Sequence, residues 1–373
     1  MSRLSYAQLD KIKEHYGVDR IWSHSRINTY VSQPWLYRIT YLEKLKPDTS
    51  NVYNYFGTIL HDLAQGVYTG EHEIKELPSL YEQKVIDWRL GDSGFKFMNE
   101  NVEKGYLNNI EHYFENFVKL PYEVIVEKPV KIVLGEDKEK EIFVGYVDGL
   151  YKDEEGNMVI LDFKSSSKGE YSGKKLKESS RQLLLYSIGI HQATGLPYEK
   201  IKARFDMMKY MYVEFLQKNG KWRGSLQERV GWVKAQEKRM VAALSETDMD
   251  VFDIDYLVKE AIGKNSMEDL PQEIQDRFRV SPGFIDVDVS EENAKELEEW
   301  LLSNISELRT KEAGDWEVEF PEPVIDPSNE FYFNVLAKGA LKFHKGHQEE
   351  QAMKGARVQD QAIDFDSLEA LFI

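Results

Sequence analysis

Cysteine is missing altogether from the 373 residues, which excludes disulfides, zinc–thiolate sites and iron–sulfur clusters. Any metal has to be held by carboxylates, histidine, carbonyl groups and water, a donor set suited to hard ions such as Mg2+ or Mn2+. Long apolar runs are missing too. No stretch of about 18 apolar residues occurs, so no membrane partner is expected. Met1 to Arg20 alternates charged and apolar residues without the continuous apolar centre of a signal peptide, and the default expectation is a cytoplasmic protein. A surplus of positive charge is likewise absent. The net charge of −17 argues against binding nucleic acid by bulk attraction, and leaves the local field of a cleft as the quantity that matters.

What is present can fill a core: 42% of residues are hydrophobic and 12% aromatic, so the chain is globular. Basic residues gather at Arg38 to Lys46 and Lys168 to Arg204, acidic ones from Glu246 to Glu330. Residues 1–120 read as helical. Apolar residues at three- and four-residue spacing predict helices over 5–15, 27–45, 53–68 and 94–118, with Pro47 and Pro78 as punctuation. The pattern then changes. Residues 122–127, 141–148 and 158–164 are β-branched-rich strands separated by turn-rich segments, and the short turns suggest an antiparallel meander. A helix from about 174 to 194 ends at Gly195-Leu196-Pro197, and 201–215 reads as a strand. Together 121–218 form the expected α/β core. Residues 219–343 are expected to be a helical acidic part, with helices at 227–244 and 290–308 around an irregular acidic stretch. Residues 344–373 read as a flexible acidic tail.

One triplet in the core is out of place in a purely structural strand. Asp162 and Lys164 project from one side of the 158–164 strand, while Leu161 and Phe163 point into a core. A carboxylate and an ammonium at the end of an apolar strand are costly unless they serve a site. Asp148 ends the preceding strand. If the two strands pair through the turn at 153–157, the carboxylates converge and repel one another unless a cation lies between them. A metal so held lowers the pKa of a bound water, and Lys164 can orient that water or offset developing charge on a phosphorus centre. A surface ion pair across strands is the bland alternative for Asp-x-Lys.

Three further features bear on the same centre. Gly57 and His61 share a helix face one turn apart, so His61 can complete a metal shell and Gly57 can admit a close backbone or phosphate; a buried core histidine is the plain alternative. Gln182 and Tyr186 share a face of the next helix, above three leucines, and can reach Lys164, a phosphate or nucleic-acid bases. An ordinary amphipathic helix would look the same. Glu127 ends the first strand, either as an acid behind the metal ligands or as an exposed partner of Lys128 or Lys131.

The order Gly-x-x-x-His (57–61), Asp148, Asp162-Phe163-Lys164 and Gln-x-x-x-Tyr (182–186) resembles the RecB-like branch of the PD-(D/E)XK nuclease superfamily, over about Ser25 to Tyr212. The resemblance implies a restriction-endonuclease-like α/β fold, a central mixed sheet flanked by helices, with helical N- and C-terminal additions. It implies that His61, Asp148, Asp162 and the Phe163 carbonyl hold Mg2+ or Mn2+, that Lys164 is the catalytic lysine, and that Gln182 and Tyr186 belong to the active centre. Many relatives carry four cluster-binding cysteines, one of them before a proline in the segment that here reads Gln33-Pro34. None is present, so helix and hydrophobic packing must do that stapling. Gly169 to Lys175 does not fit a phosphate-binding loop, so no ATPase is expected.

The leading functional expectation is a metal-dependent deoxyribonuclease with DNA as partner, an exonuclease on ends or single strands. The single-strand preference draws on the resemblance and on Tyr30, Trp35, Tyr37, Tyr55 and Tyr186 as stacking platforms. The alternative is a non-catalytic DNA-binding or scaffold subunit with the same fold. Asp364 to Ile373, acidic and aromatic, is a candidate docking tip for a protein partner.

Overall fold

Alternating apolar residues in the middle of the chain become the strands of one mixed sheet in the computed structural model, which describes residues 3–91, 94–136, 139–326, 332–333 and 338–360. The strands are β1 (Ile21–Trp22), β2 (Ile125–Leu134), β3 (Glu141–Lys152), β4 (Met158–Lys164), β5 (Ile201–Leu216), β6 (Trp222–Glu228) and β7 (Phe278–Val287). The helices are α1 (Tyr6–Tyr16), α2 (His24–Ser32), α3 (Pro34–Tyr37), α4 (Val52–Thr69), α5 (Leu77–Leu90), α6 (Glu100–Glu115), α7 (Gly173–Thr194), α8 (Glu237–Leu244), α9 (Val251–Lys264), α10 (Gln272–Gln275), α11 (Glu291–Glu312), α12 (Trp316–Glu319) and α13 (Lys345–Asp360). No helix among the described residues is long and apolar enough to cross a membrane.

The chain divides into two compact units, Met1–His24 with Tyr55–Leu302, and Ser25–Asn54 with Ser303–Ile373. The first holds the whole sheet. β2, β3 and β4 form the expected antiparallel meander, and β4 pairs in parallel with β5 through the α7 crossover. With helices packed on the mixed sheet, this is a restriction-endonuclease-like α/β core with helical additions. α7 approaches closely because Gly189 faces Val130 and Ile132, where a Cβ would overlap both side chains. It stops at Gly195, whose left-handed φ of +71° lets its N–H close on the His191 carbonyl at 2.8 Å.

Several local expectations need correction. Residues 219–343 are not a helical part only, because β6 and β7 both add to β5. β6 follows a tight turn with Gly220 at φ +78°, so Asn219-Gly220 was the hairpin signal. β7 carries Pro282 and Gly283 opposite a bulge in β5 between Asp206 and Met211, where a strand tolerates proline. α9 lies in the stretch expected to be irregular, and Pro78 opens α5 in its first turn, the helical position proline suits. The single helix expected over 27–45 is broken at Pro34 and ends in a π-helical turn, Arg38–Leu42. Residues 345–360, expected to be tail, form α13. The candidate docking tip at 364–373 lies outside the described residues.

The second unit has its own aromatic core. Trp35, Ile39, Phe333 and Ala340 cluster together, and Phe320 stacks on Tyr37 with ring centroids 5.9 Å apart. The buried Arg38 guanidinium donates to the Phe320 carbonyl at 3.3 Å and meets Glu43 at 2.9 Å.

Candidate metal centre and its surroundings

The β3–β4 turn is set locally. Asp153 accepts from the Asn157 backbone N–H at 2.8 Å and from its side chain at 2.9 Å, and Gly156 takes φ +80°. This fixes the register, with Gly149 opposite Leu161. Beyond that pair the ladder stops. The Phe163 N–H donates instead to Asp148 Oδ2 at 3.0 Å, so a carboxylate replaces a backbone carbonyl at the point where the strands part. β2 occupies the other edge of β3 throughout, so β1 at Ile142–Phe143 and β4 from Gly149 onward share the remaining edge. Residues 144–148 lie between them, and Asp148 sits in that gap.

Asp162 is only 3% exposed. Its Oδ2 lies 2.5 Å from Lys164 Nζ, as expected of two residues on one strand face. Burial pushes the Asp162 carboxyl above its ordinary range, Lys164 pulls it back, and the nearby Asp148 charge pushes it up again. Lys164 is buried as well, but the charges of Asp162 and Asp148 outweigh that burial and hold the ammonium firmly protonated.

α4 brings His61 to the gap. Its Nε2 lies 2.9 Å from the Phe163 carbonyl oxygen, and its Nδ1 lies 3.3 Å from Asp148 Oδ2. Burial disfavours the charged ring, yet the Asp148 hydrogen bond and charge win and raise its pKa above the ordinary value. The same contacts hold Asp148 below the usual carboxylate range against its own burial. One turn further, buried Gln65 donates to the Asp148 carbonyl at 3.4 Å. Gly57, one turn earlier, meets open space, so no close backbone approach requires glycine there.

α7 brings in Gln182 and Tyr186, with two corrections. Gln182 donates to the Tyr186 hydroxyl at 3.0 Å rather than to Lys164. Tyr186 is 5% exposed and fits only because its ring lies over Gly145, where a Cβ would overlap it. Burial, then the Asp162 and Asp148 charges, raise the Tyr186 pKa against the Gln182 hydrogen bond. A ring so enclosed is no platform for bases. Tyr30, Trp35 and Tyr37 are equally buried, and Tyr55 packs edge-on against Phe56. The stacking argument for single strands therefore falls.

Glu127 stands across from Asp148, between the pairs Val126–Gly149 and Lys128–Val147. Its left-handed φ of +49° turns the strand there, and its carboxylate lies 3.9 Å from Arg3 rather than pairing with Lys128 or Lys131. The sequence reading missed two neighbours. His24, just after β1, is driven down to about 4 by burial and by the Lys164 and Arg181 charges. Tyr171 packs edge-on against Phe205, 4.7 Å between centroids, and Lys164 Nζ lies 6.0 Å from that same ring. Neither residue stands in a spacing that marks it.

Among the described residues, no three His, Asp or Glu side chains are already gathered as a metal shell. His61, Asp148, Phe163 and Asp162 form a chain of contacts in which the His61 ring closes directly on the Phe163 carbonyl. The donors are nevertheless hard oxygens and one imidazole, with a buried carboxylate oxygen of Asp162 that accepts no hydrogen bond of good geometry beside its Lys164 ion pair. Such a set fits Mg2+ or Mn2+.

A family model, the PD-(D/E)XK nuclease superfamily, matches residues 21–315. The chain belongs to that superfamily. A comparison with curated proteins finds no match.

Proposed function

From this superfamily membership we propose that the chain is a metal-dependent deoxyribonuclease of the RecB-like branch, hydrolysing phosphodiester bonds from DNA ends or on single strands. The observation that carries the reading is His61 lying between the Phe163 carbonyl at 2.9 Å and Asp148 at 3.3 Å, with the Asp162–Lys164 pair next along the same strand. His61 Nε2, Asp148, Asp162 and the Phe163 carbonyl would hold Mg2+ or Mn2+. When bound, such an ion polarises a phosphoryl oxygen and makes a water acidic enough to attack at neutral pH.

The remaining roles fall to this chain's own groups. Asp162 holds the Lys164 ammonium in place, where it offsets the charge that grows on the phosphoryl oxygens. Asp148, 3.3 Å from His61 Nδ1, draws the ring into the gap beside the other donors. Gln182 orients the Tyr186 hydroxyl, and Tyr186 closes the α7 side of the centre against water. Glu127, held by Arg3, stands behind Asp148 as an outer acid.

The test is incubation of the purified chain and Asp162→Ala with 5′- and 3′-labelled linear DNA, single- and double-stranded, and with covalently closed circles, in Mn2+. The expected result is cleavage of linear substrates from an end, little attack on circles, and no cleavage by Asp162→Ala. Equal activity of Asp162→Ala sinks the assignment. The alternative is a non-catalytic DNA-binding or scaffold role, and no cleavage at all beside retained DNA binding would select it.

A further inference from the structure

A second polar centre lies on the face of β4 and β5 away from Asp162 and Lys164, and the proposed hydrolysis does not use it. Phe163 and Asp206 are partners in the parallel ladder, so Asp206 projects with Phe163 and not with Asp162. The residue is 6% exposed, and its Oδ1 is closed to water. Oδ2 accepts from the Tyr113 hydroxyl at 2.8 Å, while Oδ1 has no hydrogen-bond partner. Arg229, 5% exposed, donates through Nε to the Met208 carbonyl at 2.8 Å in the β5 bulge. Its guanidinium lies 4.8 Å from the Tyr113 ring.

These groups line a cavity of about 620 Å³ whose apolar wall includes Trp232, Met211 and Phe284. That volume lies within the range of small-molecule sites, which pair an apolar wall with a few converging polar groups. A buried acceptor left without a donor costs free energy, and an unfilled hydrogen-bonding role is one reason to keep it. We propose that this cavity binds a neutral planar heterocycle with two adjacent N–H donors, such as the edge of guanine. A carboxylate only accepts, and offers about four lone-pair positions; Tyr113 takes one on Oδ2, and two N–H groups on one edge can take one on each oxygen. Arg229 balances the Asp206 charge, which favours a neutral ring over an amidinium. The apolar wall takes the faces of that ring.

Titration calorimetry of the full chain in metal-free buffer, with guanosine as probe, tests this. Guanosine is expected to bind saturably, and inosine, which lacks the amino group, about tenfold more weakly, the loss of one buried hydrogen bond. Asp206→Asn should weaken guanosine by a similar factor or more. Ser281→Trp, at the exposed rim of the cavity, should abolish binding while circular dichroism shows an intact fold. No binding at millimolar guanosine, equal binding of inosine, or unchanged binding by Ser281→Trp overturns the proposal, and all three hold even if Asp206→Asn does not fold. No nuclease assay enters, so failure of the nuclease reading would show separately.

Discussion

His61 Nε2 and the Phe163 carbonyl oxygen, two groups expected on one cation, lie 2.9 Å apart and bond to each other. α4 and the end of β4 are thus tied together by a hydrogen bond, and both groups would have to turn off that line to share one Mg2+ or Mn2+, whose ligand bonds are about 2.1 Å long. His61→Ala is expected to lower Mn2+ affinity by at least about tenfold, the scale seen when groups around a metal are lost. Calorimetric titration with Mn2+ checks it, and unchanged affinity would remove His61 from the shell.

Gln65 holds the same helix against the Asp148 carbonyl from one turn away. Gln65→Leu should keep the fold, lower Mn2+ affinity about tenfold, and leave the urea midpoint nearly unmoved. A large loss of stability with unaltered metal binding would make Gln65 a packing residue only.

Lys164 and Asp162 should separate by readout. Lys164→Met would remove the charge proposed to meet the phosphate, so cleavage is expected to fall by about 10²- to 10³-fold, while Mn2+ binding is retained. Asp162→Ala should lose both. Parallel losses of metal binding in the two variants would contradict the assigned roles.

Gly145 admits the Tyr186 ring. Gly145→Ala is expected to destabilise by about 1–3 kcal/mol, the cost of overpacking, and Tyr186→Ala should cancel most of that cost when the two are combined. Additive losses in urea unfolding would show that the glycine answers to something other than the ring.

Asp206 supplies a pH dependence with a definite sign. Burial raises its carboxyl from 3.8 to about 6, so between these values the folded chain binds more protons than the unfolded one. Stability from this group therefore falls as pH rises through about 4 to 6, by roughly 3 kcal/mol in all, and is level above. Asp206→Asn, which keeps an acceptor for Tyr113, should be the more stable protein at pH 7 and lose that advantage below pH 4. Thermal melts across this range decide; a variant less stable at pH 7 contradicts the sign.

Much of the architecture was legible because it is written in short-range pattern. The alternation through 141–164 and the Asp153–Asn157 turn specify a hairpin before any other contact forms, and that hairpin alone sets Asp148 beside the Asp162 strand. α7 was legible at both ends for the same reason. β6 carried a signal that went unread, Asn219-Gly220. β7 carried almost none, since Pro282 and Gly283 break its alternation and its partner lies some seventy residues earlier.

The sequence by itself determined which residue types could do the chemistry. No cysteine leaves no thiolate donor, and strand periodicity puts Asp162 and Lys164 on one face with Phe163 on the other. What needed the tertiary structure was every relation between elements: His61 against Phe163, Gln65 against Asp148, Tyr186 enclosed over Gly145 rather than open to bases, His24 within the field of Lys164. Spacing along a chain fixes direction within one helix or strand, whereas burial and partner choice depend on which surfaces pack together. That is why most of the stacking aromatics, plausible in sequence, turned out to be core, and why Asp206, unmarked in sequence, emerged on β5 with an unpartnered oxygen.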